Sequence, residues 1–152
     1  KDSHAGAFAI ITACVYFNLW LGAWDQLLGN YNGICIMSLG FMMSRCLSGI
    51  GVITFPKART DGTVAEFSRN ASEIAVRNVL ITMFVILAAL MIWVDPVLGV
   101  LAAVSALLVF WWYHYMALKY FGGTTGDLSG FFLCICEVVM ALVLAFGGTF
   151  NL

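Results

Sequence analysis

The chain has 152 residues, of which 62% are hydrophobic and 10% charged, with a mean hydropathy of +0.98. A water-soluble domain of this length needs about a quarter of its residues charged to clothe its surface, so composition excludes that class and points to a protein wetted by lipid. The formal net charge of −1 implies neither nucleic acid nor a strongly charged partner.

Five apolar stretches are long enough to cross a hydrocarbon core of about 30 Å at 1.5 Å per helical residue. The first is expected over residues 5–24, followed by a turn at 25–30. The second covers 31–55 and carries Arg45 inside it. Residues 56–77 are polar and hold seven of the fifteen charged residues. The third span, 78–94, stops at Asp95-Pro96, where proline removes a ladder donor. The fourth covers 97–120, a glycine-rich turn occupies 122–130, and the fifth runs over 130–146 with Glu137 inside. The expected fold is all-α, a polytopic transmembrane helical bundle of about five spans. It has no internal repeat and forms a single bundle over residues 1–152. Because the chain begins at Lys1 and enters a span almost at once, it reads as the later part of a longer polypeptide.

Threading these spans puts Lys1, Lys57, Arg59, Arg69, Arg77 and Lys119 on one side of the membrane, and Asp25 and Asp95 on the other. By the positive-inside rule the first side is the cytoplasm. Cys14, Cys35, Cys46, Cys134 and Cys136 all lie in apolar stretches without a CxxC pair, and read as small buried hydrophobes. Cys134 and Cys136, two apart, should face different sides of their helix. Gly99, Ala102, Ala103 and Ala106 permit close packing of the fourth span. The aromatic run Trp111, Trp112, Tyr113, His114 and Tyr115 reads as an interfacial belt, with His114 as a base the alternative.

Three places can carry chemistry. In the GGTTGD turn, glycines let backbone approach a ligand, and the first N–H groups of the following helix lack internal partners, which suits an anion. A tight interhelical turn with Asp127 or Thr125 as N-cap fits the same residues. No Gly-Lys-Ser/Thr follows, so this is not a Walker A loop. A carboxylate beside a phosphate calls for a metal between them, and the hard cation Mg²⁺ suits both. Arg45 lies ten residues before Phe55 and Glu137 ten after Asp127, so both sit about 15 Å below the same face and are expected to meet. Such a pair is either a structural salt bridge or a polar wall of a substrate cavity. Lys57 and Arg59 beside the membrane can hold a phosphate, or serve as ordinary anchors and anionic-lipid contacts. Glu66, Arg69, Glu73 and Arg77 fall at helical spacing and read as a solvated face.

Three segments, KDSHAGAFA, SRCLSGIGVITFPKARTDGTVAEF and YFGGTTGDLSGFFLCICEVV, together resemble the bacterial cobalamin synthase family, adenosylcobinamide-GDP ribazoletransferase. The GGxTGDxxG turn followed by an intramembrane glutamate is the most specific of them. The resemblance implies a transfer in which a hydroxyl of α-ribazole, or of its 5′-phosphate, attacks a phosphate of adenosylcobinamide-GDP and releases GMP. The implied setting is the cytoplasmic face of the bacterial inner membrane, with Mg²⁺ as cofactor, and homo-oligomerisation is left open. It implies catalytic places for Asp127 and Glu137, and phosphate or substrate contacts from Arg45, Lys57, Arg59, Gly122, Gly123, Thr124, Thr125 and Gly126. Asp2 is placed near the metal, and the family's aspartate-rich DGxxDxxDG motif upstream of Lys1. This chain departs from the family pattern at His4, where arginine is usual, and at Cys134, where an earlier glutamate is usual. A CDP-alcohol phosphotransferase of lipid synthesis and a transporter subunit using Arg45 and Glu137 are the rival readings.

Overall fold

The computed structural model describes residues 6–56 and 73–150, all organised around helices. Five of them are long and apolar enough to cross a membrane, which makes this a multi-pass membrane protein. They are α1 (Ala7–Leu27), α2 (Tyr31–Thr54), α3 (Glu73–Val94), α4 (Pro96–Phe121) and α5 (Gly126–Phe150). No strand occurs among the described residues. Large apolar side chains such as Phe8, Leu21, Val85, Trp93 and Leu108 are exposed on the outside, where a bilayer rather than water would meet them.

Helix ends run further than hydropathy predicts. α1 continues through Asp25 to Leu27, so the predicted turn at 25–30 shrinks to residues 28–30. α3 starts at Glu73 rather than near residue 78, and α5 starts at Gly126 rather than Gly130. The cause is physical: the hydrogen-bond ladder does not end where the hydrocarbon does, and a polar turn of helix extends into the headgroup layer. Asn30 caps α2, its Oδ1 accepting from Gly33 N–H at 3.0 Å. Asp95 caps α4, accepting from Val97 and Leu98 N–H at 3.0 Å each, with Pro96 at the first helical position.

α2 and α5 form the buried centre, joined by α4; α3 packs on α2 and α4, and α1 lies mainly on α5. Small residues set these crossings. A Cβ on Gly99 would stand 2.4 Å from the Met91 carbonyl oxygen, so α3 and α4 touch backbone to backbone. Ala102, Ala103 and Ala106 are buried along the same face of α4, as their size predicts. A Cβ on Gly40 would stand 3.4 Å from the Met140 side chain on the α2–α5 crossing, and one on Gly51 3.2 Å from the Tyr113 ring on the α2–α4 crossing.

Two expectations need correction. Cys46 and Cys136 are buried as expected, and Cys134 faces away from Cys136, but Cys14 and Cys134 are exposed and Cys35 is half-buried. An apolar sequence context in a membrane helix does not distinguish a lipid-facing side from an inward one. The aromatic run is likewise divided. Trp111, Trp112 and Tyr115 are exposed as a belt requires, whereas Tyr113 is fully buried.

Gly99→Ala should lower the thermal unfolding midpoint of the detergent-solubilised protein by several degrees, because the added methyl meets backbone and overpacking costs about 1–3 kcal/mol. Gly22→Ala, where nothing lies within 4 Å of the new methyl, should leave it unchanged or slightly raised.

Candidate functional site: a glycine corner above an intramembrane ion pair

At the end of α4 the chain turns through Gly122, whose φ of 67° is left-handed, and Gly123, at φ 154°. Only glycine adopts both without strain. The turn lets Gly123 N–H reach back to the Ala117 carbonyl at 3.0 Å. Thr124 N–H then donates to the Pro56 carbonyl at 2.8 Å, docking the corner on the end of α2. Thr125 opens α5 as its N-cap, its Oγ1 accepting from Leu128 N–H at 3.3 Å. That resolves the capping role in favour of Thr125 over Asp127, which instead lies within the first turn of α5. Gly123 and Thr124 are buried, while Gly122, Gly126 and Asp127 are exposed, so the corner shows its glycine backbone and one carboxylate outward. Among the described residues nothing hydrogen-bonds the Asp127 carboxylate.

Below the corner, Arg45 of α2 and Glu137 of α5 form the expected ion pair. Ser44 donates to the same Glu137 Oε1 at 2.9 Å, so one carboxylate oxygen serves two donors. The pair is lopsided: the Glu137 side chain is 11% exposed and that of Arg45 58%. Arg45 therefore stands on an open side of the bundle rather than enclosed within it, and part of its guanidinium is free to meet another group. Tyr16 of α1 lies beside Cys134 and Glu137, and Leu27 lines a cavity with Leu144 and Gly148, so α1 runs parallel to α5 with its start at the corner's end of the bundle. α1 meets α2 through Trp20 and Trp24, whose rings lie 6.1 and 6.5 Å from that of Phe41. These contacts lie on the far side of Arg45 from the corner.

A polar seam joins the two levels. Ser48 and Ser129 share a hydrogen bond of 2.6 Å, and Tyr113 and Thr124 share another between their hydroxyls. The Tyr113 hydroxyl also lies within reach of Ser129. Sequence reasoning missed Tyr113, although its spacing from Ala102, Ala106, Val109 and Ala117, all buried, puts it on the inner face of α4. His114 packs against Phe55, ring centroids 4.5 Å apart, and takes no part in this network. Lys119 donates to the Tyr115 hydroxyl at 2.8 Å, an anchor at the corner's end of α4.

Of the residues singled out from sequence, Gly122, Gly123, Thr124, Thr125, Gly126 and Asp127 form the corner, with Arg45 and Glu137 paired beneath it. Asp2, His4, Lys57 and Arg59 lie outside the described residues, as do Glu66 and Arg69. Pro56, which receives the corner, immediately precedes Lys57 in the chain. Mg²⁺ is commonly held by one or two carboxylates together with substrate phosphates and water, and the exposed Asp127 can supply one such ligand. No cluster of three His, Cys, Asp or Glu side chains occurs among the described residues.

A cavity of about 550 Å³ lies elsewhere, at the opposite end of the bundle, lined by Gln26, Asn30, Asn32, Asp95 and Leu144 among others. Its Asn30 and Asp95 are already engaged as helix caps. Its lining holds no cation, and the glycine corner lies at the other end.

Exchanging the paired charges tests their coupling: Arg45→Glu and Glu137→Arg should each reduce the yield of folded protein, and the double exchange should recover part of it. Detergent-resistant folded protein, measured by size-exclusion chromatography, is the readout, and a double variant no better than either single one would disprove the pairing.

Comparison with known proteins fits this arrangement. The profile of the family described as cobalamin-5-phosphate synthase matches residues 1–145. A protein of Lachnoclostridium phytofermentans named adenosylcobinamide-GDP ribazoletransferase is 41% identical over 149 residues, covering 97% of this chain and 56% of the relative. Proteins of the same name from Desulfitobacterium hafniense and Pseudomonas syringae pv. tomato are 30% and 26% identical, over 93% and 95% of this chain and 56% and 58% of their own lengths. The chain thus spans a little over half the length of the curated relatives it matches. No solved structure matches it. With its match to the family profile running through all five spans, this chain belongs to the cobalamin-5-phosphate synthase family.

Proposed function

We propose that this chain is the later part of a membrane transferase that joins adenosylcobinamide-GDP to α-ribazole or its 5′-phosphate, giving adenosylcobalamin or its 5′-phosphate and GMP. The observation that carries the reading is the bond from Thr124 N–H to the Pro56 carbonyl. It joins two separated family-like segments, one at Pro56, next to Lys57 and Arg59 in the chain, and the other at the glycine corner. The reaction then belongs at the cytoplasmic face of a bacterial inner membrane, the side on which the positive-inside rule puts Lys119 and Arg77.

Phosphoryl transfer asks for positioning and charge neutralisation more than for covalent chemistry. The nucleophilic hydroxyl forms a bond to phosphorus, the P–O bond to GMP breaks, and the hydroxyl proton must leave. Asp127, exposed beside the glycine backbone, is placed to accept that proton. The exposed N–H groups at the start of α5 and the cations Lys57 and Arg59 would hold the phosphate oxygens. Arg45, fixed on one side by Glu137 and open on the other, would meet negative charge deeper in the site. Glu137 acts through Arg45, since its Oε1 is already shared by Arg45 and Ser44. Mg²⁺, which Asp2 and the substrate diphosphate would hold, would supply further neutralisation.

The test is GMP release by a complete family polypeptide carrying this segment, supplied with adenosylcobinamide-GDP and α-ribazole. Release should require Mg²⁺, and CDP-alcohols should be inert as donors. Asp127→Asn should cut the rate by about 10²–10³-fold, in line with the loss of other catalytic groups of this kind, without lowering the unfolding midpoint. Release of no GMP from both substrates together would reject the assignment.

A further inference from the structure

Tyr113 poses a question that packing alone does not answer. Its ring is completely buried, stacked on Phe132 at a centroid distance of 4.9 Å, 5.4 Å from Phe55, and over Gly51, which leaves room for it. Phenylalanine would fill that space equally well and would not bury a hydroxyl. A buried hydroxyl costs free energy unless bonded, so the partners of this one carry the reason for it. Its bonded partner is Thr124, itself 2% exposed at the middle of the glycine corner. Ser129, close by and one turn into α5, bonds Ser48 on α2. Four hydroxyls from α2, α4, the corner and α5 thus gather as two bonded pairs in one buried layer, beneath the exposed backbone of Gly122 and Gly126.

The corner has few other restraints. Its backbone is held by Gly123 N–H on Ala117 and by Thr124 N–H on Pro56. Glycines at residues 122, 123 and 126 leave the remaining torsions soft. Side-chain anchoring of Thr124 from below would select one shape among those the glycines permit. Preorganised backbone donors hold an anion more tightly than donors that must be ordered on binding.

We propose that Tyr113 is a positioning residue: its hydroxyl, bonded to Thr124 beside the Ser129–Ser48 pair, fixes the glycine corner in the shape that receives the diphosphate of the substrate. This inference rests on the phosphate-holding reading of the corner given above. Tyr113 touches no reacting atom; it acts through Thr124.

The experiment compares wild type, Tyr113→Phe, Thr124→Val and Thr124→Ser in a complete family polypeptide carrying this segment, reconstituted in nanodiscs. Two readouts are taken: amide hydrogen exchange of the corner peptide with and without Mg²⁺ and inorganic pyrophosphate, and the steady-state constants for GMP release. Tyr113→Phe and Thr124→Val should each speed exchange over residues 122–128 while leaving the cores of α2 and α5 as protected as in wild type. Each should raise KM for adenosylcobinamide-GDP about five- to tenfold, the size of one lost buried hydrogen bond, with kcat changed less than about threefold. The double variant should be no worse than either single one, and Thr124→Ser, which keeps the hydroxyl, should behave as wild type.

Unchanged exchange at the corner in Tyr113→Phe would overturn the proposal, as would faster exchange with an unaltered KM. Loss of protection throughout α2 and α5 would also overturn it, by showing a merely structural role. If wild type releases no GMP and pyrophosphate does not slow exchange at the corner, the phosphate reading itself fails. The exchange comparison between wild type and Tyr113→Phe would then still decide whether the Tyr113 hydroxyl holds the corner.

Discussion

An ion within an apolar span must find an opposite charge or pay a desolvation cost of several kcal/mol, and the architecture of this protein answers that demand with Arg45 and Glu137. The pair fixes the relative height of α2 and α5. With that height set, the start of α5 arrives beside the end of α2, where Thr124 can bond Pro56, and Ser129 falls opposite Ser48. Slide either helix by one turn, about 5.4 Å, and all three contacts are lost together. The polar groups of the bundle's centre are therefore one register, expressed at three depths.

The two ends of the bundle differ in chemistry. At one end are the glycine corner, Asp127 and the Lys119–Tyr115 anchor, with the carbonyl of Pro56 leading into Lys57. At the other, the polar groups are committed inward: Asn30 and Asp95 each satisfy the start of a helix, and the cavity they line has no cation. Among the described residues, the first end carries the cations Lys119 and Arg77 and the second carries none. The ring contacts of Trp20 and Trp24 with Phe41 lie one turn of α2 beyond Arg45, toward the second end.

Much of this was legible in the sequence, for identifiable reasons. Hydropathy and length gave five spans, since a lipid-facing helix has few ways to disguise itself. Asp95-Pro96 marked a helix junction because proline lacks the N–H that a continuing ladder needs, and the structure adds the Asp95 carboxylate as a cap. The pairing of Arg45 with Glu137 followed from counting residues from the same face. The helix ends were less legible, because composition tracks the edge of the hydrocarbon while hydrogen bonding carries Asp25, Glu73 and Gly126 into helices. Tyr113 was hidden by its neighbours: Trp111, Trp112 and Tyr115 do face outward, and a run of aromatics reads as one object unless its helical phase is followed. Which way each cysteine faces was not legible, since lipid and protein interior favour the same side chains. The lopsided exposure of the ion pair depends on where α1 lies, which no local pattern encodes.

The contact between Gly99 and Met91 bears on how the chain enters a membrane. α3 ends at Val94 and α4 begins at Pro96, with their backbones touching at Met91 and Gly99, about one turn from the junction. Two spans so closely joined amount to a single helical hairpin, and the segment delivered to the far side is little more than Asp95. One oxygen of its carboxylate already accepts two backbone N–H groups of the hairpin itself, so the one charge that must traverse the hydrocarbon has part of its hydration replaced from within. Insertion of this half of the protein then requires no translocated loop, and α3 and α4 reach the lipid as partners rather than as separate helices that must find one another.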